Sequence, residues 1–361
     1  MSKALRCGVC GLGWRGQQII DQLAQMDPCE LVAVCDPNPK MLGPYSGLAT
    51  HTEYEAFVDA GLDIVIVASP GPAHAGQSLA ALERGLHILT ETPCVYSIEE
   101  AKQVVAAVRR TGLHYMLAED YLWTGSYLEM ERMVGEGLLG EVCLGEGEYV
   151  HDLRGMMLAD ESGFVPYAER DAHPSARKTW RATNLPPIQY CSHTLGPVLR
   201  LMGRERAVSA AAMTVGEKSA PGLTPFDIES ALFLTSGGTV IRQTIGFAVA
   251  SDNFSVKLVG SEGALTFTTV PDARLQWLSV SRDHGKNWQE KCIDMFKRPD
   301  GRDYTRAMLE DFVQSILDDT DPPLDLYESM DMTVPGIVAH QSGLAGGGSL
   351  PVPDMRGEGL S

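Results

Sequence analysis

Six residues near the start of the chain, Gly11-Leu12-Gly13-Trp14-Arg15-Gly16, constrain its fold more than any others. A strand-like apolar run over residues 6–10 leads into them, and helical periodicity over 17–25 follows. Glycines at that spacing, between a strand and a helix, do separate jobs. The first permits a tight turn, the second lets the backbone approach a pyrophosphate, and the third lets helix and strand pack closely. The helix N-terminus then offers unpaired N–H groups to the anion. Asp36 ends the next apolar run, 20 residues after Gly16. A carboxylate there accepts hydrogen bonds from ribose hydroxyls and repels a 2′-phosphate. The expectation is a site for NAD rather than NADP, built on Gly11, Leu12, Gly13, Trp14, Arg15, Gly16 and Asp36.

Further apolar runs at 31–35, 64–68, 87–89 and 115–118 alternate with helical patterns at 74–84 and 98–109. Such alternation makes a parallel sheet covered on both faces. The pattern changes after about Leu122. A helix over 127–136 ends at Gly137 and Gly140. Strand-like runs follow at 142–150, 207–215, 229–234, 239–249, 254–259 and 264–268. Gly237-Gly238 signals a hairpin turn and Val270-Pro271 a break. Helices over 304–317 and 326–340 close the chain. The expected fold is α/β. Residues 1–122 form a Rossmann domain with a doubly wound parallel sheet. Residues 123–361 form an α+β domain with a mostly antiparallel open sheet, the C-terminal helices and the tail.

A length of 361 residues suits two domains. With 47 acidic against 29 basic residues the formal charge is −18, which disfavours nucleic acid and anionic membrane as partners. No apolar run is long enough to span a bilayer. Met1 to Arg6 lead into a strand without a signal-peptide pattern, and the expected location is cytoplasmic. Eight scattered cysteines are unlike a disulfide framework. Cys7 and Cys10, three apart on a strand, point to opposite faces and are expected to be buried, inert thiols. No metal site is expected.

More segments join one pattern: Ala68-Ser69-Pro70 with His74, Gly85 through Glu91-Thr92-Pro93, Glu119 and Tyr121, Gly137 through Val142, and Gly260 through Leu265. Together they resemble the glucose–fructose oxidoreductase / inositol dehydrogenase / MocA family over nearly the whole chain. The resemblance implies a Rossmann domain, a C-terminal sheet domain and NAD(P) between them. It also implies an open sheet face that packs in homo-oligomers, a dimer or a tetramer. Ser69, Pro70, His74, Glu91, Thr92, Pro93 and Glu119 would then lie on the cofactor.

Two departures from that family are informative. Its dehydrogenases usually carry Glu-Lys-Pro where this chain has Glu91-Thr92-Pro93. They also usually carry His-x-x-x-Asp or His-x-x-Asp, where this chain reads Tyr190-Cys191-Ser192-His193-Thr194-Leu195-Gly196-Pro197. Both departures resemble a side branch, the NAD-dependent glycosidases typified by α-N-acetylgalactosaminidases. Tyr149-Val150-His151-Asp152-Leu153-Arg154, Trp180-Arg181 and the tail Val352 to Arg356 are similar to that branch as well. In the branch, hydride leaves sugar C3, and the resulting ketone acidifies C2–H. The C1 group is expelled by elimination, water adds, and the hydride returns. Such enzymes are exceptions to the two-carboxylate rule of glycosidases.

His193 and Tyr190 are the first candidates for proton transfer, since imidazole titrates near neutral pH and a phenol can relay a proton. Tyr149 and His151, two apart on a strand and so on one face, come next. The bland alternatives are structural histidines and core or interface tyrosines. Trp180 and Arg181 are candidates for the cofactor, and Arg154, Lys178, Tyr121 and Trp123 for the substrate. Arg154, Arg177, Lys178 and Arg181 concentrate positive charge in an acidic chain. They suggest an anionic sugar such as a sulfoquinovoside, or a solvated basic loop. Met156, Met157 and Trp123 are pocket walls or plain core. Three activities stay open: a redox-neutral glycosidase, a sugar or cyclitol dehydrogenase releasing NADH, and a cofactor-binding regulator without chemistry.

Overall fold

A computed structural model describes residues 4–161, 163–269, 275–283 and 286–357. The chain packs as two units. One consists of residues up to Trp123, Pro299–Met330 and the tail from Met355; the other of Thr124–Arg298 and Asp331–Asp354.

The first unit holds six strands: β1 (Leu5–Cys10), β2 (Cys29–Cys35), β3 (Ala49–His51), β4 (Ile64–Val67), β5 (His87–Thr90) and β6 (Tyr115–Leu117). Their order is β3-β2-β1-β4-β5-β6, and every neighbouring pair is parallel. This is the doubly wound order, whose switch point falls between β1 and β4. All four residues of β4 are buried, as a sheet covered on both faces requires. Helices α1 (Trp14–Leu23), α2 (Pro39–Leu42), α3 (Tyr54–Val58), α4 (His74–Leu82) and α5 (Ile98–Thr111) connect the strands. Helix α5 shows why its sequence is a helix. Ser97 and Glu100 form a capping box at its start, Arg109 and Arg110 lie in the last turn, and Gly112 closes it at φ 67°.

The second unit opens with α6 (Gly125–Gly135) and β7 (Val142–Val150). A small antiparallel sheet follows, made of β8 (Leu158–Asp160), β9 (Gly163–Phe164) and β10 (Arg177–Lys178), then α7 (Trp180–Thr183) and α8 (Ser192–Leu201). The main sheet adds β11 (Ala207–Val215), β12 (Ile228–Thr235), β13 (Val240–Gly246), β14 (Asn253–Gly260), β15 (Ala264–Thr269), β16 (Leu275–Ser281), β17 (Trp288–Asp294) and β18 (Leu350–Pro351). Its order is β17-β16-β15-β14-β7-β13-β12-β11-β18. Among the described residues of this sheet, only β7 and β13 pair in parallel. Burial along β12 alternates residue by residue, so one face of the sheet is covered and the other open. The expected fold class is therefore the one observed. Residues 270–271, where a break was expected, lie outside the described residues.

The expectation that residues 123–361 form a single second domain is corrected. Helix α9 (Tyr304–Asp318) and the start of α10 (Leu326–Leu344) belong to the first unit. Three contacts tie α9 there. The Trp123 indole N–H donates to Asp311 at 2.7 Å, Arg15 to the Thr305 hydroxyl at 3.2 Å, and Arg306 to the Gln25 carbonyl at 2.7 Å.

Candidate active site

In the first unit the glycine turn has the geometry its spacing implied. Gly11 sits at φ 86°, and a Cβ there would lie 2.4 Å from the Ser69 backbone nitrogen. A Cβ on Gly16 would lie 1.9 Å from the Gly11 carbonyl oxygen. Only glycine fits either position. Gly13 differs: a Cβ there would meet nothing within 4 Å. It is the N-cap of α1, where no side chain caps the helix and no acid lies in the first turn. The orphan N–H groups at that end are thus left for an anion. The Asp36 carboxylate accepts from the Leu12 N–H and from the Asn38 N–H, both at 2.9 Å. These residues fit the diphosphate and ribose of a dinucleotide.

The other expected cofactor residues fall into two groups. Trp14 is 75% exposed. Ser69, at the end of β4, donates to Gln77 at 2.5 Å. His74 is buried, with its ring nitrogens 2.9 Å from the Pro93 carbonyl oxygen and 2.8 Å from that of Ser69. It thereby joins the Ser69-Pro70 and Thr92-Pro93 segments. Arg15 is committed elsewhere: its guanidinium lies 2.6 Å from Glu91 and 2.8 Å from Asp120. Burial opposes its charge, but Asp120 and Glu91 outweigh that and hold it above its ordinary range. Arg15 therefore locks the end of β5 to the turn after β6. Glu119 and Thr92 are both buried, and the Thr92 hydroxyl has no hydrogen-bond partner among the described residues. Tyr121 is half-buried in the turn Asp120–Trp123, and Trp123 is core beneath α9.

In the second unit three of the four proposed proton carriers meet. Tyr149, on the covered face near the end of β7, has its ring centroid 5.0 Å from that of His193, edge to face. Tyr190 ends the turn Pro187–Tyr190 and stands 5.0 Å from His193 in the same manner. The two tyrosine rings lie 6.3 Å apart and nearly parallel, at 15°. Phe247 closes the cluster at 6.0 Å from Tyr149 and 5.6 Å from Tyr190.

The sequence around His193 explains its placement. Thr194 donates to Gln243 on β13 at 2.5 Å. A Cβ on Gly196 would lie 2.7 Å from the Met332 sulfur, so glycine lets α10 approach. Pro197 has no N–H, so the helical bond to the His193 carbonyl is not made.

His151 lies one residue beyond β7 rather than on it, because the strand ends at Val150. Its N–H still bonds the Gly246 carbonyl at 2.8 Å, and its ring lies 6.0 Å from Tyr149. Its Nδ1 is 2.6 Å from Asp252, a partner sequence reasoning missed. Phe247, Gln243 and Asp252 carry no local signal; strand pairing brings them in.

The basic cluster is partly neutralised. Arg154 grips Asp152 bidentately at 2.8 and 2.6 Å, and that hydrogen bonding holds the Asp152 carboxyl below the usual carboxylate range. Arg177 donates to the backbone carbonyls of residues 174–176. Arg181 lies over the Trp180 ring at 4.8 Å, and Lys178 is exposed. No group of three or more possible metal ligands occurs among the described residues, nor any helix long and apolar enough to cross a membrane.

Residues 5–119 match the model of the "Oxidoreductase family, NAD-binding Rossmann fold". Over those residues the chain is similar to this Rossmann-fold oxidoreductase family. It is related to glycosyl hydrolase family 109 proteins. One from Stenotrophomonas maltophilia is 23% identical, with 98% of this chain and 89% of that protein covered. One from Shewanella pealeana is 29% identical, with 56% of this chain and 45% of that protein covered, less than half its length. The fold is that of a levoglucosan dehydrogenase solved with NADH and L-sorbose, at TM-score 0.80 and 16% identity, covering 98% of this chain and 100% of that one. The glycine turn lies within the residues that match an NAD-binding Rossmann domain.

Proposed function

We propose that this protein is an NAD-dependent, redox-neutral glycoside hydrolase. The observation that carries the reading is the cluster of Tyr149, Tyr190 and His193, whose rings lie 5.0 to 6.3 Å apart, with Tyr149 brought by β7 to the adjacent Tyr190 and His193. Support comes from the kinship with glycosyl hydrolase family 109 proteins and from a buried threonine where related dehydrogenases carry lysine. Bound NAD supplies a reversible hydride acceptor for a sugar carbon.

The chain's residues handle the protons. A ring nitrogen of His193 or the phenolic oxygen of Tyr190 removes the proton next to the oxidised carbon. Tyr149 or His151 delivers a proton to the departing oxygen, with Asp252 orienting the His151 ring. The aromatic faces of Tyr149, Tyr190 and Phe247 suit the C–H face of a sugar. Arg154 is saturated by Asp152, so an anionic sugar group, if the substrate carries one, falls to Lys178 and Arg181. The open sheet face bears exposed Met213, Leu232, Trp277 and Trp288, and a face of that kind suits burial between copies of the chain.

The test is turnover of a panel of nitrophenyl glycosides with NAD. Nitrophenolate release over many turnovers per NAD, without net NADH, supports a hydrolase. NADH formed in step with product contradicts it and points to a dehydrogenase.

A further inference from the structure

One buried pair in the second unit plays no part in that chemistry. Glu229, on β12, is 0% exposed, and His340, on α10, is 9% exposed. One Glu229 oxygen lies 2.8 Å from His340 Nδ1. The other accepts the backbone N–H of Ile188 at 2.9 Å. Ile188 sits within the turn Pro187–Tyr190, which presents Tyr190 at its end. The same turn is packed closely by α10, since a Cβ on Gly336 would lie 2.6 Å from the Ile188 carbonyl oxygen. Pro186 and Pro187 stiffen the entry. His340 is itself braced edge-on against Phe226 at 5.0 Å.

A buried hydrogen-bonded pair is seldom more stabilising than an apolar pair of similar size. What this one adds is direction, because a single carboxylate ties β12, α10 and the tyrosine-bearing turn together. We propose that Glu229 and His340 are positioning residues for Tyr190. They keep its ring parallel to Tyr149 and edge-on to His193. The functional consequence rests on the proton-carrying reading of Tyr190 given above; the positioning itself does not.

Fluorotyrosine placed at position 190 reports the positioning by fluorine NMR, and hydrogen exchange at substrate C2 reports the consequence. The variants are Glu229→Gln and the double Glu229→Leu with His340→Leu. The double variant replaces the pair by apolar side chains but leaves the buried Ile188 N–H without its acceptor, and is expected to fold with a melting temperature somewhat below that of the unmodified protein. Its fluorine resonance nevertheless shifts and broadens. Its exchange rate falls on the order of 10²-fold, the loss a misplacement of about 1 Å brings. Glu229→Gln keeps an acceptor for the Ile188 N–H and restores the resonance and most of the exchange. NAD affinity stays the same in all variants.

An unchanged resonance in the double variant overturns the proposal. So does failure of that variant to fold, which would make the pair's role one of stability. If the unmodified protein turns over no glycoside, the activity reading fails, and the fluorine signal alone decides the positioning.

Discussion

The carboxylate of Asp36 accepts a 2.9 Å hydrogen bond from the backbone N–H of Leu12, inside the glycine turn. The acid at the end of β2 and the turn after β1 are therefore one device. Asp36 fixes the loop and would present negative charge to a ribose bound there. Asp36→Ala should narrow the preference for NAD over NADP by roughly 10- to 100-fold, the worth of one hydrogen bond to a charged group. Titration of both cofactors checks this. Equal affinity of the unmodified protein for the two would contradict the assignment.

Arg15 should be a stability residue rather than a phosphate ligand. It holds Glu91 and Asp120 within 2.8 Å, and all three side chains are largely buried. Arg15→Met leaves two carboxylates facing each other without a counter-charge and should cost about 3–5 kcal/mol. Adding Asp120→Asn should recover part of that. Denaturant unfolding of the single and double variants measures it; a loss of NAD affinity with no loss of stability would reverse the roles.

The Arg154–Asp152 pair gives a pH prediction. Its hydrogen bonds lower the Asp152 pKa in the folded state. The stabilisation is therefore present above the unfolded-state value and is lost as pH falls through the folded one. The pair is about a quarter exposed, so it contributes no more than about 1 kcal/mol after solvent screening. In Arg154→Ala the Asp152 pKa should rise, read by carboxyl NMR. The stability difference between the two proteins should vanish in acid. A difference that persists there would mean that Arg154 acts through packing.

The open sheet face should be an interface between copies. Leu232 is 51% exposed and Trp277 42% exposed on strands of one sheet. Leu232→Glu with Trp277→Glu should move the protein from an oligomeric to a monomeric elution volume, with the fold retained by circular dichroism. A monomer before substitution would contradict the expectation.

The Rossmann sheet was legible because each central strand is a continuous apolar run. β3 was not: Ala49-Thr50-His51 is three residues long and has no such run. Helix α8 was also missed, since Gly196-Pro197 reads as a break although the first serves close packing and the second forgoes one helical N–H bond. The edge strand β17 is mostly polar and exposed, so it shows no alternation. Residues 304–317 read clearly as a helix, but their unit is set by Trp123 meeting Asp311, 188 positions apart. The site divides in the same way. Tyr149, Tyr190 and His193 sit in motifs, whereas Asp252, Glu229 and His340 matter only through partners that the sheet brings near.

In the proposed hydrolysis a proton beside the oxidised carbon leaves, and His193 takes part. The most direct measurement runs turnover in deuterium oxide and follows label at C2 of the product sugar. Unmodified protein should give product deuterated at C2. His193→Ala should bind NAD as before and lose turnover by roughly the 10²–10⁴-fold typical of a missing general acid or base. Product formed by the unmodified protein with no deuterium at C2 would contradict elimination altogether.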